Sequence, residues 1–560
     1  MTAADDAIFP DYVPTAGNAV GDAARRWGDH DFVVTNQERL TYAELDLRSR
    51  HLACRLVEVG VSKGDKIAVL FPNGPAWAVS WAAVVRLGAV AVPVSTFYTE
   101  SELGRFLNHA DVRFVLGVSS FLHHDYAERL ASIAPELGVK RRTQLLLPSM
   151  PQLRGVLFWD ESPVSWATGG YGADLDDEPS AELAEQVAAM EGDVTPADPM
   201  MLLYTSGSTA EPKGVLHGHG AMTRHAVNLA AMSGWRDTYR LWTSMPFFWI
   251  GGFHNTLFRA LVAGAMLVTQ PVFDPTVALE TLEREQVTHV LTWPAAAQAL
   301  ADQPRFGSTD LSSLLGGSLF ERIPAELRPP EIGLVCNSLG MTETCGLHSF
   351  YTAKQEREGV PIEYRGAYGR AVPGFEVQIV DPVKGHPLPD GDEGEIIVRG
   401  YALMLGMQKV ERSDTFDADG WYHTSDHGFL RDGWLFFTGR RSEMIKTGGS
   451  NVAPAEVEHC LRGCRGIMQA FVVGIPHPTS GQRVVALVVP WASERGAFGP
   501  IDPNEILVQL KDQLSSFKIP KQLFVISEDD VPWLPSQKPD RRALMALAVR
   551  LARAGELDLR

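Results

Sequence analysis

One segment rich in glycine and hydroxyl residues decides how this chain is interpreted, and its sequence is LLYTSGSTAEPKG, residues 202–214. An apolar, strand-like run leads into small residues whose N–H and O–H groups can surround phosphate oxygens, and Lys213 then supplies a positive charge. The segment is not a Walker A loop, because the pattern Gly-x4-Gly-Lys-Ser/Thr is absent and Gly214 follows the lysine. It therefore predicts a phosphate-binding loop, with an ordinary serine- and glycine-rich turn as the alternative.

The composition is typical of a large globular protein. The chain has 560 residues, of which 45% are hydrophobic and 21% are charged, so we expect several structural units and little disorder. The 50 Lys and Arg against 68 Asp and Glu give a formal charge of −18, which argues against nucleic acid or an anionic membrane as the main partner. An anionic ligand would have to meet local cations.

The cysteines and the N-terminus predict a cytoplasmic protein. Five scattered cysteines are too few for a disulfide framework, and no His/Cys cluster has the spacing of a zinc site. The N-terminal residues lack the basic start and apolar run of a secretion signal. We expect no membrane span, because Arg86 interrupts the most apolar region, residues 76–94.

Strand and helix patterns alternate along the first part of the chain, which predicts an α/β fold with a parallel sheet covered by helices. A capping-box spacing of Thr41 and Glu44 predicts a helix start, and an apolar strand follows near Ile67. The acidic residues 160–198 are predicted to form a surface connection. Short runs after Gly369 predict a small β-rich subdomain.

The last part of the chain, residues 442–560, is long enough to be a separate domain. It contains 14 Lys and Arg against 13 Asp and Glu, a charge of +1, which leaves −19 for residues 1–441. We therefore expect two domains with a boundary near residue 441, and the acidity belongs to the first.

Three more segments contain side chains that suit a nucleotide site. NSLGMTE, residues 337–343, places a carboxylate after a glycine-containing turn, as a Mg²⁺ ligand would require. GWYHTSD ends in Asp426, which can accept hydrogen bonds from ribose hydroxyls. Arg440 then adds a fork of donors, and KTGGSN, residues 446–451, forms a second glycine-rich turn. Taken alone, each segment is more often an ordinary loop or cap than part of a nucleotide site.

Together and in this order, these segments resemble the adenylate-forming superfamily of acyl- and aryl-CoA synthetases, adenylation domains and luciferases. The resemblance extends from about residue 40 to residue 544 and includes six separate motifs. It implies a large N-terminal domain of interleaved α/β sheets with a small β subdomain, and a smaller, mobile α+β C-terminal domain. It also implies that ATP and Mg²⁺ activate a carboxylic acid as an acyl-adenylate, with CoA as the co-substrate that displaces AMP.

The resemblance implies a role for each matching residue. The loop around the ATP phosphates would comprise Thr205, Ser206, Gly207, Ser208, Thr209, Lys213 and Gly214. The phosphate- and magnesium-contacting pair would be Thr342 and Glu343, with Glu343 as the metal ligand, preceded in the nucleotide-binding turn by Asn337, Ser338, Leu339 and Gly340. Adenine would lie at Gly316, Gly317 and Ser318, and ribose at Asp426 and Arg440. Lys538 would be the catalytic lysine of adenylation, Lys446 would serve the thioester step, and Ser442 would be the hinge.

Several residues depart from the pattern of the superfamily. Ala210, Ser425 and Gln537 stand where glycine is frequent, and a methyl group at Ala210 would stiffen the loop without removing a donor. Leu339 stands where an aromatic ring is common, which would weaken stacking on adenine. Ser442 replaces the usual Asp or Lys of the hinge.

The acid is expected to bind beside the segment MPFFWIGGF, residues 245–253. The residues predicted to line the acid site are Phe247, Phe248, Trp249, Gly251 and Gly252. Aromatic rings beside a glycine pair favour an apolar acid over a polar amino acid, so we expect a medium or long fatty acid or a bulky alicyclic or aromatic acid. Core packing is expected for at least two of the four aromatic rings in this segment.

Two alternatives to an acyl-CoA synthetase remain open. One is an acyl-AMP ligase that loads a separate carrier protein, because the 22 residues after Lys538 leave no room for a fused carrier. The other is a non-catalytic homologue that binds a nucleotide. The sequence does not predict an oligomeric state. His217, His219 and His225 are predicted to be surface or capping residues, not a metal site.

Overall fold

The structure is a computed structural model that describes most of the chain. The described residues are 8–139, 145–205, 213–319, 338–352, 355, 360–364, 366–440, 445–447, 450–452, 454–477, 481–491, 501–511, 514, 518–534 and 539–557. They form two compact units. Unit 1 comprises Met1–Arg365, Gly369–Glu376 and Arg399–Gly420, and unit 2 comprises Gly366–Tyr368, Val377–Val398 and Trp421–Arg560.

Unit 1 contains two large sheets. The first has the order β14-β13-β11-β12-β1-β2 in the described part of the chain, with β1 Asp31–Val34, β2 Arg39–Thr41, β11 Arg240–Thr243, β12 Met266–Thr269, β13 His289–Leu291 and β14 Gly316–Gly317. The second has the order β20-β10-β9-β4-β3-β5-β8, with β3 Lys66–Leu70, β4 Val90–Pro93, β5 Phe114–Gly117, β8 Gly155–Phe158, β9 Pro199–Thr205, β10 Lys213–Gly218 and β20 Gly406–Met407. The chain starts the first sheet, builds the second and then returns to the first. This interleaving confirms the expected α/β architecture.

Two smaller sheets complete unit 1. A hairpin joins β6 Ser120–Phe121 to β7 His124–Asp125. A short antiparallel sheet has the order β15-β16-β17, with β15 Leu339–Met341, β16 Gly346–Phe350 and β17 Arg370–Ala371. The β15–β16 hairpin contains the predicted Thr342–Glu343 pair.

The helices of unit 1 surround the two large sheets. They are α1 Ala16–Trp27, α2 Tyr42–Glu58, α3 Pro75–Arg86, α4 Glu100–His109, α5 Tyr126–Ile133, α6 Ala181–Gly192, α7 His219–Met232, α8 Ile250–Gly252, α9 Arg259–Ala263, α10 Pro275–Arg284 and α11 Pro294–Ala301. Helix α2 begins with the predicted capping box of Thr41 and Glu44. The largest apolar core includes residues of both sheets together with α1, α2, α3, α7 and α9.

Residues 160–198 are not only a connection, because they contain helix α6. Its Glu191 contacts the guanidinium of Arg86 at 2.5 Å, and Arg86 is fully buried and also pairs with Asp46. The prediction of a plain surface connection was therefore wrong for this part. A buried charge needs such partners, because an unpaired ion inside the core would cost several kcal/mol, of order 3–5.

Unit 2 contains most of an antiparallel sheet and one further sheet. The first has the order β18-β19-β21-β22, with β18 Phe375–Val380, β19 Gly394–Gly400, β21 Tyr422–Arg431 and β22 Trp434–Arg440. The second has the order β24-β23-β26-β25 with β27 beside β26, and its strands are β23 Ile445–Thr447, β24 Ser450–Val452, β25 Ile467–His477, β26 Gly481–Pro490 and β27 Gln522–Val525. The described helices are α12 Pro454–Arg462, α13 Pro503–Leu510 and α14 Arg541–Leu557. None of the described helices of either unit combines the length and apolar character needed to cross a membrane.

Candidate active site

The carboxyl ends of β11, β13 and β14 meet at one edge of the first sheet, because the three strands are parallel. Side chains beyond these ends are hydrogen bonded to each other. Ser318 Oγ donates to the carbonyl oxygen of Thr292 at 2.8 Å, and Ser244 Oγ shares a hydrogen bond with Thr292 Oγ1. Gly317 has a φ of 102°, and a side chain there would collide with the backbone of Val290. The segment predicted to contact adenine, residues 316–318, is therefore fixed at the edge where ligands of such sheets usually bind.

Strands β9 and β10 form an antiparallel hairpin in which Thr205 lies opposite Lys213. Ser206, Gly207, Ser208 and Thr209, which connect the two strands, lie outside the described residues. Lys213 is exposed and makes no ion pair with the part of the chain that the structure describes. A Cβ on Gly214 would lie 2.9 Å from the Tyr204 ring, so close packing explains this glycine. The hairpin presents a free cation beside the predicted phosphate loop.

Thr342 and Glu343 lie in a 3₁₀ turn, Thr342–Thr344, between β15 and β16. Both residues are half-buried, and neither side chain forms a hydrogen bond with the described residues. Their backbone carbonyls are occupied instead: His217 Nε2 lies 2.7 Å from Thr342 O, and Met404 N donates to Glu343 O at 2.9 Å. A carboxylate with no protein partner is the oxygen ligand that Mg²⁺ prefers, so Glu343 fits the predicted metal role.

The remaining residues of the nucleotide-binding turn are only partly covered by the structure. Leu339 and Gly340 lie in β15, Ser338 precedes the strand and is exposed, and Asn337 is outside the described residues. A side chain on Gly340 would collide with the backbone of Gly346 across the hairpin, so this glycine permits the close approach of the two strands.

Three of the four aromatic residues after β11 are buried, in agreement with the expectation of core packing for at least two of them. Phe247 and Phe253 are fully buried, and both rings lie 5.6 Å from Trp77. Phe248 and Trp249 face elsewhere: their rings are 5.2 Å apart, and each contacts the ring of Phe97, which is 49% exposed. Phe248 itself is only 5% exposed, so the aromatic surface here is formed by the half-buried Trp249 and the exposed Phe97, with Phe248 beneath them.

Gly251 lies over a narrow apolar gap. A Cβ built on Gly251 would meet only Met245 Sδ at 3.5 Å and Trp293 Cζ2 at 4.0 Å, which are ordinary contacts. Gly252 is different, because a side chain there would collide with the Pro246 carbonyl. Gly252 is therefore a packing residue, whereas Gly251 has room for at least one more carbon atom beside the Met245 thioether and the Trp293 indole. We call this gap the Gly251 slot, defined by Met245, Gly251 and Trp293.

Asn255 connects the helical segment that follows Gly251 to the acidic turn. It lies in a π-helix, Phe253–Phe258, and its amide lies so close to Gly346 that a side chain there would collide with it. Such π-helical turns are frequent at functional sites. Met245, Trp293, Asn255 and Met404 were not among the predicted site residues. Trp293 could have been found, because it follows a parallel strand directly at its carboxyl end.

The three histidines after Lys213 are buried, so the prediction of surface or capping positions was wrong. His219 Nδ1 accepts a hydrogen bond from Ala16 N at 3.1 Å, and His225 Nε2 lies 2.8 Å from Leu347 O. Burial lowers the pKa of His217 and of His219 to about 4, so both side chains are neutral near pH 7. Within the described residues, no group of three or more His, Cys, Asp or Glu side chains is arranged to hold a metal ion.

In unit 2, Asp426 lies on β21 opposite Arg440 on β22. Asp426 is buried, its backbone N–H donates to Thr424 Oγ1 at 3.0 Å, and Thr424 in turn donates to Ile396 O at 2.6 Å. Ser425 between them has a φ of 61°, the left-handed conformation that favours glycine. The structure thus explains why glycine is frequent at this position.

The segment that contains Lys538 is fixed at both ends in unit 2. Trp533 and Pro539 form an isolated β-bridge, and Asp540 N donates to Pro532 O at 2.9 Å. Lys538 itself lies outside the described residues, as does the hinge residue Ser442. Lys446 lies in β23.

Within unit 1, a chain of contacts joins the predicted segments. It runs from Ser318 through Thr292 to Trp293 and the Gly251 slot, and then through Asn255 to the turn of Glu343. His217 connects that turn to the strand of Lys213. The segments predicted to contact adenine, the acid and Mg²⁺ are therefore connected within unit 1, as expected for an enzyme that activates a carboxyl group with a nucleotide.

Comparisons with known proteins agree with this class. The family of AMP-binding enzymes matches residues 20–407, and the AMP-binding enzyme C-terminal domain matches residues 456–538. The chain belongs to the AMP-binding enzyme family. It is an AMP-forming acyl-CoA synthetase, which uses ATP and Mg²⁺ to convert a carboxylic acid to its acyl-adenylate and CoA to displace AMP.

Individual relatives cover almost the whole chain. A 3-[(3aS,4S,7aS)-7a-methyl-1,5-dioxo-octahydro-1H-inden-4-yl]propanoyl:CoA ligase of Rhodococcus jostii is 31% identical over 95% of this chain and 98% of its own length. An indoleacetate–CoA ligase of Aromatoleum aromaticum is 30% identical over 92% of this chain and 93% of its own. The ATP-bound structure of MatB from Rhodopseudomonas palustris has 25% identity and a TM-score of 0.72, covering 95% of this chain and 98% of that chain.

Proposed function

We propose that this acyl-CoA synthetase activates an apolar acid that contains an alicyclic or aromatic ring. The observation that carries the proposal is the Gly251 slot, where the absent side chain of Gly251 leaves room beside the Met245 thioether and the Trp293 indole, and we propose that a flat ring of the acid lies there. Apolar walls bind such a group by removing its surface from water, worth about 25 cal/mol per Å². The indoleacetate and indenylpropanoyl ligases named above act on ring acids, which supports the same choice.

Among the residues that form the slot and the neighbouring aromatic surface, none is charged. Phe248, Trp249 and Phe97 are aromatic, and Met245 and Trp293 complete the apolar lining. A carboxylate or ammonium group on the distal end of the acid would lose its hydration here without gaining a partner. The lining therefore disfavours diacids and amino acids.

The roles of the site residues follow from the resemblance and are part of the proposal. We assign the ATP phosphates to Thr205, Ser206, Gly207, Ser208, Thr209, Lys213 and Gly214, and the phosphate and Mg²⁺ contact to Thr342 and Glu343. We assign adenine to Gly316, Gly317, Ser318 and residues 337–340, and ribose to Asp426 and Arg440. Lys538 serves adenylation, Lys446 serves thioester formation, and Ser442 is the hinge. The side chains of Lys213 and Glu343, which have no partner among the described residues, support the first two assignments.

The proposed chemistry requires these charges. The acid carboxylate and the α-phosphate of ATP are both anionic, so their approach needs nearby cations. Mg²⁺ would supply charge neutralisation at the phosphates when bound at Glu343. Lys213 would hold the phosphates in position, and Lys538 would stabilise the charge that develops as pyrophosphate leaves. Although the protein is acidic overall, the proposed reaction thus requires cations around the ATP phosphates and the acid carboxylate.

A panel of acids tests the substrate class. Pyrophosphate release should be faster with ring acids, such as phenylpropanoate, indoleacetate and cyclohexylpropanoate, than with octanoate or decanoate at equal concentration. Gly251→Val should fill the slot and lower kcat/KM for ring acids by about 10-fold or more, the effect of misfitting one or two methyl groups. Short linear acids should be much less affected. A wild-type preference for linear chains would contradict the ring proposal and favour a fatty acid.

Two variants make this experiment specific. Gly307→Val introduces the same side chain at an exposed glycine with no atom within 4 Å of its added Cβ, and it should leave the acid profile unchanged. Trp249→Ala should shift the profile toward longer or bulkier acids. An unchanged profile for Trp249→Ala would remove Trp249 from the acid site.

Lys538→Ala tests whether Lys538 acts in adenylation and not in thioester formation, the two half-reactions of the enzyme. It should suppress adenylation far more than thioester formation from supplied acyl-AMP. Equal loss in both steps would remove Lys538 from its assigned role.

We keep residues 1–441 and 442–560 as the two functional domains, which is supported by family matches that end at residue 407 and resume at residue 456.

A separate carrier protein and a cytoplasmic location remain predictions from the sequence. AMP formation with no thioester from CoA would favour the carrier as the thiol partner. Fractionation of the native cell would test the location.

A further inference from the structure

His217 connects the strand of Lys213 to the acidic turn. Its side chain is fully buried, and Nε2 lies 2.7 Å from the carbonyl oxygen of Thr342, which is 125 residues away in the sequence. A carbonyl oxygen can only accept, so Nε2 carries the hydrogen and donates it. Nδ1 is buried and has no partner among the described residues. Among the described residues, the side chain of His217 is therefore hydrogen bonded only to the turn.

Lys213 and His217 lie on the same face of β10, because they are four residues apart and strand side chains alternate between the two faces. The strand is also fixed along its length. It pairs with β9 on one side and with β20 on the other. A bond from His217 to the turn thus relates the position of the turn to that of the lysine.

The turn is closed by its own hydrogen bonds, from Cys345 N to Thr342 O at 3.0 Å and from Thr344 Oγ1 to Gly346 O at 2.7 Å, and two bonds from outside the turn add to these. Cys345 and Gly346, which follow it, have φ values of 58° and 100°, and a non-glycine residue in the left-handed region costs about 1–2 kcal/mol. The Met404 N–H holds the Glu343 carbonyl, and His217 holds the Thr342 carbonyl. Because both bonds use the backbone, the side chains of Thr342 and Glu343 remain available.

We propose that His217 is a positioning residue for adenylation, which fixes the direction of the Thr342 and Glu343 side chains relative to Lys213. It acts through the turn and makes no contact with substrate itself. This inference rests on the proposed roles of Thr342 and Glu343. It adds a residue of β10, outside the phosphate loop, to the machinery of the first half-reaction.

A matched pair of variants isolates the hydrogen bond. His217→Gln and His217→Met have side chains of similar length and shape, but only glutamine can donate to the Thr342 carbonyl. Each variant is assayed for acid-dependent exchange of labelled pyrophosphate into ATP, for its half-saturating Mg²⁺ concentration, and for thioester formation from supplied acyl-AMP. Thermal unfolding shows whether each variant is folded.

The Met variant should lose about 10-fold in kcat/KM for adenylation, the effect of removing one hydrogen bond that positions the turn, because the Thr342 carbonyl then keeps only the Cys345 N–H as its donor. Its half-saturating Mg²⁺ concentration should rise, and its thioester step should stay within about 2-fold of wild type. The Gln variant should retain adenylation within about 3-fold. His219→Leu removes an equally buried histidine that contacts Ala16 instead, and it should leave the ratio of the two half-reactions and the Mg²⁺ requirement unchanged.

Equal losses in the Gln and Met variants, or an unchanged Mg²⁺ requirement in both, would reduce His217 to a packing residue and overturn the inference alone. A wild-type enzyme that forms no AMP with any acid would instead overturn the proposed function and the inference together.

Discussion

In unit 1 the turn that contains Glu343 is held by neutral donors on its backbone carbonyls, whereas in unit 2 the segment after residue 538 is held by a pair of charges. Arg541 contacts both carboxylate oxygens of Glu458, at 2.5 and 3.1 Å, and also donates to Val472 O. The bonds that reach the turn from outside come instead from His217 and from the backbone of Met404, beside the turn's own bond from Cys345 N to Thr342 O. We therefore expect acid to destabilise unit 1 through its buried histidines. Loss of one partner of the pair between Arg541 and Glu458 is expected to destabilise unit 2.

The largest expected effect is loss of stability of unit 1 in mild acid. Burial lowers the pKa of His254 and of His348 to about 4, from about 6.5 in an unfolded chain. Below pH 6.5 the unfolded state binds more protons than the folded state, so stability falls as the pH decreases toward 4. Linkage gives a loss of about 2 kcal/mol for each of these histidines at pH 5 relative to pH 7. Urea unfolding followed by tryptophan fluorescence measures the loss.

A substitution identifies the histidine contribution among other titrating groups. His348→Leu should make the decline between pH 6.5 and pH 5 shallower by up to about 1.4 kcal/mol per pH unit, which corresponds to one proton. His30→Gln, at an exposed position of unit 1, should leave the slope unchanged. Equal slopes in all three proteins would show that buried histidines do not set the acid sensitivity of unit 1.

The second effect concerns the charged anchor of unit 2. Arg541→Met leaves Glu458, whose side chain is 7% exposed, without its cation, and should cost about 2–3 kcal/mol of unfolding free energy. Asp540 caps the same helix through its bonds to Arg542 N and Ala543 N, so the helix itself should persist. Adenylation should also fall, because the segment of Lys538 ends at this anchor. Hydrogen exchange of the backbone amides in the C-terminal residues measures the unfolding free energy.

Arg542→Met is the matched control for that experiment. Arg542 is the next residue of the chain, is exposed and forms no ion pair with the described residues. It should change stability by no more than about 0.5 kcal/mol, as expected for a surface substitution. If both variants lose the same stability, the charged pair with Glu458 is not the anchor.

The helices, strands and buried polar residues of the two units also show what the sequence can predict. The helix beginning after Thr41 was predicted because its capping box lies within four residues, and the strand pattern around Ile67 is equally local. The structural role of helix α6 was missed. That role is the ion pair between its Glu191 and the buried Arg86, which lies 105 residues away in the sequence. The burial of His217 was missed for the same reason, since its partner is the Thr342 carbonyl. Local patterns give elements and motif order, whereas partners distant in sequence decide which polar residues are buried.

The candidate site divides in the same way. Thr205, Lys213, Thr342 and Glu343 were predicted, because their motifs are short and recognisable. The Gly251 slot was predicted only as a glycine beside aromatic residues, because Met245 and Trp293 come from two different strand ends. A parallel sheet brings such ends together, but the sequence does not state which strands are neighbours.

The smallest expected effect is a gain of stability beside Asp426. Ser425 has a φ of 61°, and its hydroxyl forms no hydrogen bond with the described residues, so only its backbone N–H, which donates to Glu395 Oε1 at 3.1 Å, contributes. Ser425→Gly removes the steric cost of this conformation and keeps that bond. It should raise the unfolding free energy of unit 2 by about 0.5–1 kcal/mol, after allowing for the greater freedom of glycine in the unfolded chain.

Asp432→Gly makes the comparison quantitative. Asp432 also has a positive φ, 51°, but aspartate tolerates the left-handed region better than most residues, so its replacement should gain less than that of Ser425. The KM for ATP should stay within about 2-fold in Ser425→Gly, because the Thr424 and Ile396 bonds that hold Asp426 are untouched. A loss of stability in Ser425→Gly would mean that the serine side chain contributes more than its backbone conformation costs.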